Sequence, residues 1–116
     1  MKYMLLMYAN EAKVPQSPEE QRAAAPAWSM LSQEMKNAGV WLSSSGLRPV
    51  ADATTVRVRD GKALIIDGPF AETHEQLGGY FLLECKDLDE ALLWAEKIPT
   101  SAYGSIEVRP LWSGEA

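Results

Sequence analysis

The chain has 116 residues, of which 47% are apolar and 23% are charged, and its formal net charge is −5. This length and composition predict a single globular domain over residues 1–116 and exclude an intrinsically disordered chain. The 11 lysines and arginines are scattered along an acidic chain, so we expect no nucleic-acid binding.

Residue types also bear on location and on metals. The start of the chain lacks the basic segment and cleavage site of a signal peptide, and no apolar run approaches the ~20 residues that cross a bilayer. Cys85 is the only cysteine, which excludes an intrachain disulfide and favours a reducing cytoplasm. One histidine and one cysteine cannot form a structural zinc site, although carboxylates can hold a hard cation. We therefore expect neither a metal nor a cofactor.

The first predicted elements are a strand and a long helix. Residues 3–8 are apolar at every position, which is typical of a strand covered on both faces. Ser17, Pro18 and Glu20 form the pattern of a capped helix start, and the helix is expected to end near Gly39. Pro26 predicts a kink or a restart within it. Its buried stripe is predicted to contain Ala24, Ala27 or Trp28, Leu31, Met35 and Ala38.

Residues 40–47 form a weaker predicted strand. Residues 54–59 alternate, with Val56 and Val58 on one face and arginines on the other. Asp60-Gly61 is the signal of a two-residue type I′ turn, and residues 62–66 form the returning strand. This pattern predicts a β-hairpin.

A strand over residues 79–86 follows, and Gly78-Gly79 at its start predicts a bulge or a tight entry into the strand. Asp87 is the expected cap of a second helix that runs to about Ile98 and ends before Pro99. Residues 105–111 form the last strand. The buried stripe of the second helix is predicted to be Leu88, Ala91, Leu92, Ala95 and Ile98.

With the hairpin set aside, the order β-α-β-β-α-β predicts an α+β fold, a ferredoxin-like sandwich. Two helices cover only one face of its antiparallel sheet. Leaving four or five apolar side chains of the other face in water would cost ~1.5–3 kcal/mol each, so we expect a homodimer in which a second sheet covers that face. The alternative is that the hairpin folds over this face within one chain.

The loop between the hairpin and the next strand carries a distinctive run, Asp67-Gly68-Pro69-Phe70. Together with five other segments, it is similar to the DGPF family, a branch of the YCII-related proteins. The matching segments are residues 1–8, 67–73, 75–80, 87–91, 98–99 and 104–110.

This resemblance implies a dimeric α+β barrel of ferredoxin-like subunits and a bacterial family suspected of enzymatic activity. Related barrels act on small cyclic or aromatic molecules, and family members occur with extracytoplasmic-function sigma factors. Other YCII-like proteins carry a histidine on the first helix that is expected to pair with an acid. This chain has Trp28 at the position of that histidine, so the His–Asp dyad is absent. His74 stands where the branch usually has lysine.

Three residues of the loop are candidates for catalysis. Asp67 can act as a general base, or it can accept backbone N–H groups and fix the Gly68-Pro69 turn. Glu72 can supply a second carboxylate, or it can start a solvated turn. His74 is the only histidine of the chain, the residue type best suited to proton transfer at neutral pH, but a stretch this polar favours an exposed histidine.

Six further residues are candidates for substrate binding. The aromatic ones belong either to the core or to a pocket lining. The two arginines can meet an anionic substrate or pair across the sheet with Glu107 or Glu84. The candidates are Tyr8, Trp28, Arg57, Phe70, Tyr80 and Arg109.

Two functions follow from these residues. The first is a cofactor-free enzyme that acts by acid–base chemistry on a cyclic or aromatic acid, in a pocket beside Asp67. The second is a ligand-sensing or protein-binding module that serves a sigma factor or another regulator.

Overall fold

The computed structural model describes residues 1–71 and 73–112. These residues form strands and α-helices separated by short 3-10 helices at Glu11–Lys13, Val50–Asp52 and Pro99–Ala102. The bounds are β1 Lys2–Ala9, α1 Pro18–Asn37, β2 Trp41–Gly46, β3 Thr54–Arg59, β4 Lys62–Asp67, β5 Gln76–Glu84, α2 Leu88–Lys97 and β6 Ser105–Pro110.

The strands form two separate sheets. Four of them make an antiparallel sheet in the order β2-β5-β1-β6, and β3 and β4 pair only with each other. Without this ribbon, the observed element order is the predicted β-α-β-β-α-β. The α+β class is therefore confirmed.

The core lies between the helices and one face of the larger sheet. Alternate residues of β1 point into it, so that Leu5 is fully buried while its neighbours Met4 and Leu6 are only half-buried. Burying each large apolar side chain here contributes ~1.5–3 kcal/mol. The core residues are Tyr3, Leu5, Met7, Leu31, Met35, Val40, Phe81, Leu83, Cys85, Ala91, Ala95 and Ile98.

Helix α1 begins at the predicted cap, and its end at Asn37 with Ala38 as C-cap agrees with the predicted end near Gly39. The Ser17 hydroxyl accepts the Glu20 N–H at 3.1 Å, and the Glu20 carboxylate accepts the Ser17 N–H at 3.3 Å. The helix is continuous through Pro26, so the predicted restart is wrong. Pro26 is exposed, and the buried contacts of Leu31 and Met35 outweigh one lost backbone hydrogen bond.

Helix α2 is capped by Asp87 as predicted, but its buried stripe is different. Ala91, Ala95 and Ile98 are buried, whereas Leu88 and Leu92 are exposed. The two alanines allow the helix backbone to approach the sheet closely. The helix is therefore rotated so that its alanines face the sheet and its leucines face outward. The predicted burial of Leu88 and Leu92 is wrong.

The ribbon of β3 and β4 stands apart from the sheet. Asp60 and Gly61 have φ values of 53° and 75°, which confirms the type I′ turn. Every residue of β4 is exposed, so the ribbon does not fold over the open face of the sheet within one chain. The Cα radius of gyration is 16.0 Å, against ~13 Å for a compact chain of this length.

Strand β5 contains the predicted bulge. Met7 pairs with Gly79, and Tyr8 pairs with Leu77, so Gly78 is the extra residue.

No helix in the described part of the chain is long and apolar enough to span a membrane.

Candidate functional site

A cavity of about 630 Å³ lies between α1 and the helix-facing side of the sheet. The ends of β1, β2 and β5 form its floor, and the segment between β1 and α1 forms one wall. Its lining residues are Met7, Ala9, Glu11, Val14, Pro15, Gln16, Gln21, Trp28, Ser32, Ser44, Ser45, Gly46, Leu47, Pro49, Gln76, Gly78, Tyr80, Phe81, Thr100 and Tyr103.

Aromatic side chains from three parts of the chain line this cavity. Trp28 of α1 stacks on Phe81 of β5, with ring centroids 6.4 Å apart and planes inclined by 13°. Tyr103, after the last 3-10 helix, is half-buried and lines the same space. Flat apolar surfaces of this kind are suited to contact with a ring compound.

Glu11 joins three segments at the cavity wall. Its backbone N–H donates to Gln76 Oε1 at 3.0 Å, and its carboxylate Oε2 accepts the Val50 N–H at 3.0 Å. Gln76 in turn donates through Nε2 to the Thr73 carbonyl at 2.5 Å. The Val50 bond holds the carboxylate against the β2–β3 connection, and the Gln76 bond holds the Glu11 backbone against the start of β5.

Glu11 was not among the residues predicted from the sequence. The available signal was a carboxylate directly after a buried strand. What gives that carboxylate its position is contact with residues 39 and 65 positions away in the chain, which no local pattern shows.

Asp67 lies at the exposed end of β4 and does not line this cavity. Two bonds to the β3 side of the ribbon hold the turn after it: Gly68 N–H donates to the Ala53 carbonyl at 2.6 Å, and the Thr55 side-chain hydroxyl donates to the Gly68 carbonyl at 2.8 Å. The Asp67 carboxylate accepts no hydrogen bond from the described residues. Among the described residues, the turn is therefore held by groups other than the Asp67 carboxylate.

The other loop candidates lie outside the cavity. His74 is exposed, as the polar surroundings favoured, and Phe70 is 74% exposed. Glu72 lies outside the described residues. The structure therefore brings no second described carboxylate or histidine of this loop to the cavity.

Tyr8 and Arg109 lie on the open face of the sheet. The Tyr8 hydroxyl donates to Glu107 at 3.4 Å, and burial together with Glu107 raises the pKa of Tyr8. Among the described residues, neither Arg57 nor Arg109 makes an ion pair. The predicted pairing is wrong. Glu107 accepts the Tyr8 hydroxyl, Glu84 binds the terminal amine at 2.6 Å, and Arg57 belongs to the separate ribbon.

Two of the predicted residues border the cavity, Trp28 and Tyr80. The hydroxyl of Tyr80 shares a hydrogen bond of 2.9 Å with Ser43. Tyr80 therefore has its polar end already satisfied, and Trp28 is the predicted side chain that contributes most directly to the aromatic wall.

Neither the cysteine nor a cluster of acids adds chemistry to this site. Cys85 is buried, and burial and Glu90 raise the pKa of its thiol to about 11, so the thiol is protonated at neutral pH. Within residues 1–71 and 73–112, no three His, Cys, Asp or Glu side chains lie close enough together to hold a metal ion.

Three comparisons bear on this fold and site. A sequence model of the YCII-related domain matches residues 1–114. Uncharacterized protein R00369 of Rhizobium meliloti (strain 1021) is 38% identical over 114 residues, which cover 96% of this chain and 92% of that protein.

A solved structure is similar in fold. It is 5-chloro-2-hydroxyhydroquinone dehydrochlorinase (TftG) from Burkholderia phenoliruptrix AC1100, in complex with 2,5-dihydroxybenzoquinone. The TM-score is 0.54 at 12% identity, over 98% of this chain and 96% of that one. At this identity the likeness concerns the fold alone. On the sequence matches, this chain belongs to the YCII-related domain family.

Proposed function

We propose that this chain binds a small cyclic or aromatic molecule in the cavity between α1 and the sheet, and converts it by acid–base chemistry without a bound cofactor. The observation that carries the proposal is the cavity itself. Its volume of about 630 Å³ falls within the ~300–1,000 Å³ of small-molecule sites, and aromatic, hydroxyl and amide groups line it together.

The lining supports a ring compound that also forms hydrogen bonds. Trp28 and Phe81 offer apolar ring faces, while Ser32, Ser44 and Tyr103 offer hydroxyl groups. The similar fold that binds 2,5-dihydroxybenzoquinone is compatible with this class of ligand. The proposal depends on the residues of this chain, because that likeness concerns the fold alone.

Filling the cavity should abolish binding. Ser32 lines the cavity from α1, so Ser32→Trp places an indole in the space that a ligand would occupy. We expect loss of the heat of binding of hydroxylated aromatic compounds in isothermal titration calorimetry.

Ser29→Trp is the matched control, because Ser29 is exposed on the same helix and does not line the cavity. Undiminished binding by Ser32→Trp would contradict this location, and the absence of binding by the unmodified chain would contradict the proposed function.

The acid–base part of the proposal uses Asp67, the candidate base of the central loop, which lies outside the cavity of its own chain. It therefore requires that the exposed ribbon of a partner copy in the proposed dimer brings Asp67 within hydrogen-bond reach of the ligand. Asp67→Asn is expected to abolish turnover, with kcat lowered by ~10²-fold or more. Its side chain is exposed and accepts no hydrogen bond from the described residues, so the free energy of unfolding should change by less than ~0.5 kcal/mol.

Turnover assays and thermal denaturation of Asp67→Asn together check this role. Asp60→Asn, an equally exposed change in the hairpin turn, serves as the control. Full activity in Asp67→Asn would remove Asp67 from the mechanism while leaving the binding proposal intact. His74 and Glu72 remain proposed partners in proton transfer.

We also propose that two chains form a dimeric α+β barrel of ferredoxin-like subunits, and that the chain belongs to the DGPF branch on its Asp67-Gly68-Pro69-Phe70 run. Met4, Leu6 and Leu82 lie on the open face of the sheet, where a second copy can cover them. The separate ribbon supports the same proposal, because an isolated two-stranded hairpin is marginally stable in water.

A second function is favoured by the ribbon. Val56, Val58 and Ile65 share one of its faces and are 61%, 60% and 70% exposed. Such a surface fits a protein partner, and the ligand-sensing alternative proposes a sigma factor or another regulator. Recovery of a transcription factor in a pull-down from the native cell would support this function, and repeated failure would weaken it.

The single reduced cysteine supports a cytoplasmic setting for either function.

A further inference from the structure

The charge of the cavity lining narrows the class of ligand. Among the described residues that line it, Glu11 is the only charged side chain, and none is a lysine, arginine or histidine. Every other lining residue is apolar or carries a neutral hydroxyl or amide group. The cavity therefore holds one fixed negative charge and no compensating positive charge.

We propose that the cavity selects neutral, hydroxyl-bearing ring compounds over ring carboxylates, and that Glu11 is the residue that makes this selection by accepting a hydrogen bond from a ligand hydroxyl. This inference rests on the proposed function and deepens it. It replaces the cyclic or aromatic acid that the sequence predicts as substrate with an uncharged phenol or alcohol.

The bonding of Glu11 leaves it able to act in this way. Its Oε2 accepts the Val50 N–H, and no described residue donates to its Oε1. An ionised carboxylate is an acceptor only, so it can bind a hydroxyl proton but cannot donate to a carboxylate of the ligand. The backbone bond from Val50 also holds the charge in place, so the side chain cannot easily withdraw from an anion.

The nearby cations do not offset this charge. Lys13 is exposed and does not line the cavity. Arg48, which lies beside the lining residues Leu47 and Pro49, pairs with Asp52 at 2.9 Å. An anionic ligand would therefore meet Glu11 without a basic partner, in a chain whose formal net charge is already −5.

The size of the effect follows from Coulomb's law. A ligand carboxylate ~5 Å from Glu11, at an effective dielectric constant of ~20, would bind on the order of 100-fold more weakly than its neutral counterpart. Salt and water at the open mouth of the cavity reduce this effect, so we expect tenfold or more. A neutral hydroxyl group gains a hydrogen bond at the same position.

Donors for the remaining oxygen atoms of such a ligand are present on the sheet side. Ser44 accepts the Trp41 indole N–H at 3.0 Å through its hydroxyl oxygen, which leaves its own proton to donate. Ser44 is half-buried and lines the cavity near Phe81. The site can therefore accept a hydrogen bond from the ligand at Glu11 and donate one to it at Ser44.

The test compares 4-hydroxybenzyl alcohol with 4-hydroxybenzoate at neutral pH, because the two share a ring and a phenol and differ in charge. Calorimetry on the unmodified chain should give a Kd at least tenfold lower for the alcohol. In Glu11→Gln, which keeps an oxygen acceptor for the Val50 N–H, 4-hydroxybenzoate should gain affinity and the ratio of the two Kd values should approach one. Glu19→Gln removes an equal charge from exposed residue 19 and should leave the ratio unchanged.

Each of the other outcomes overturns a different claim: the selectivity, the role of Glu11 or the proposed function. Equal or tighter binding of 4-hydroxybenzoate to the unmodified chain would overturn the inferred selectivity and leave the proposed cavity intact. An unchanged ratio in a folded Glu11→Gln, with native circular dichroism, would remove Glu11 as its cause. If neither probe binds, the proposed function and this inference both fail. The ratio in the unmodified chain tests the selectivity even if Glu11→Gln does not fold.

Discussion

Gly104→Ala is expected to destabilise the fold by about 3 kcal/mol or more, because the backbone of β1 leaves no room for a side chain at this position. A Cβ atom on Gly104 would lie 2.2 Å from the Tyr8 carbonyl oxygen and 3.1 Å from Ala9 Cβ. The Tyr8 carbonyl belongs to a strand paired on both sides and cannot move without breaking hydrogen bonds of the sheet.

Denaturant unfolding followed by circular dichroism would measure this change. Gly78→Ala is the control, because the nearest atom to its Cβ would be the Met7 carbonyl oxygen at 4.0 Å, an ordinary contact. We expect it to lose no more than ~1 kcal/mol, the usual cost of a mild change. Equal stability of the two variants would contradict the close approach at Gly104.

The same position matters for the candidate site. Gly104 packs against Ala9 and Thr100, and both of these line the cavity. A side chain at residue 104 would therefore displace a cavity wall as well as a strand. We expect Gly104→Ala to lose ligand binding together with stability.

Leu82→Glu is expected to convert the proposed dimer into a monomer. Leu82 is half-buried and pairs with Met4 across the open face of the sheet, so a second sheet packed there would enclose its side chain. A glutamate at this position would have to bury its charge, and the two copies would bring like charges together. Light scattering at micromolar concentration should show the mass fall from two chains to one.

Leu93→Glu is the matched control, because Leu93 is 62% exposed on α2 and the same charge there stays in water. Its mass should equal that of the unmodified chain. A mass of one chain for the unmodified protein at micromolar concentration would contradict the dimer, and an unaltered mass for Leu82→Glu would place any interface elsewhere.

Local sequence was sufficient for the features whose causes are local. The cap at Ser17, the cap at Asp87 and the type I′ turn at Asp60-Gly61 all depend on residues within four positions of one another, and all are present. The bulge at Gly78 and the strand bounds of the hairpin were predicted for the same reason. The element order then fixed the α+β class.

Packing between distant segments decided the points on which prediction failed. Pro26 is a strong local signal, yet α1 remains continuous because its tertiary contacts lie on another face. Leu88 and Leu92 have helical spacing, but the smaller Ala91 and Ala95 allow the closer approach to the sheet and take the buried side. Apolar periodicity predicts that a helix has a buried face more reliably than it predicts which residues of the helix turn toward the sheet.

By itself, the sequence determined the helix caps, the hairpin turn, the order of strands and helices, and Trp28 as a candidate for the site. Only the tertiary structure decided where the cavity lies, because its walls come from β1, α1, β2, β5 and the segment around Thr100. It also showed that the carboxylate that lines the cavity is Glu11 and not Asp67. The physical reason is that a cavity is a property of surfaces brought together by folding, and a carboxylate becomes part of it through contacts with backbone groups far away in the chain.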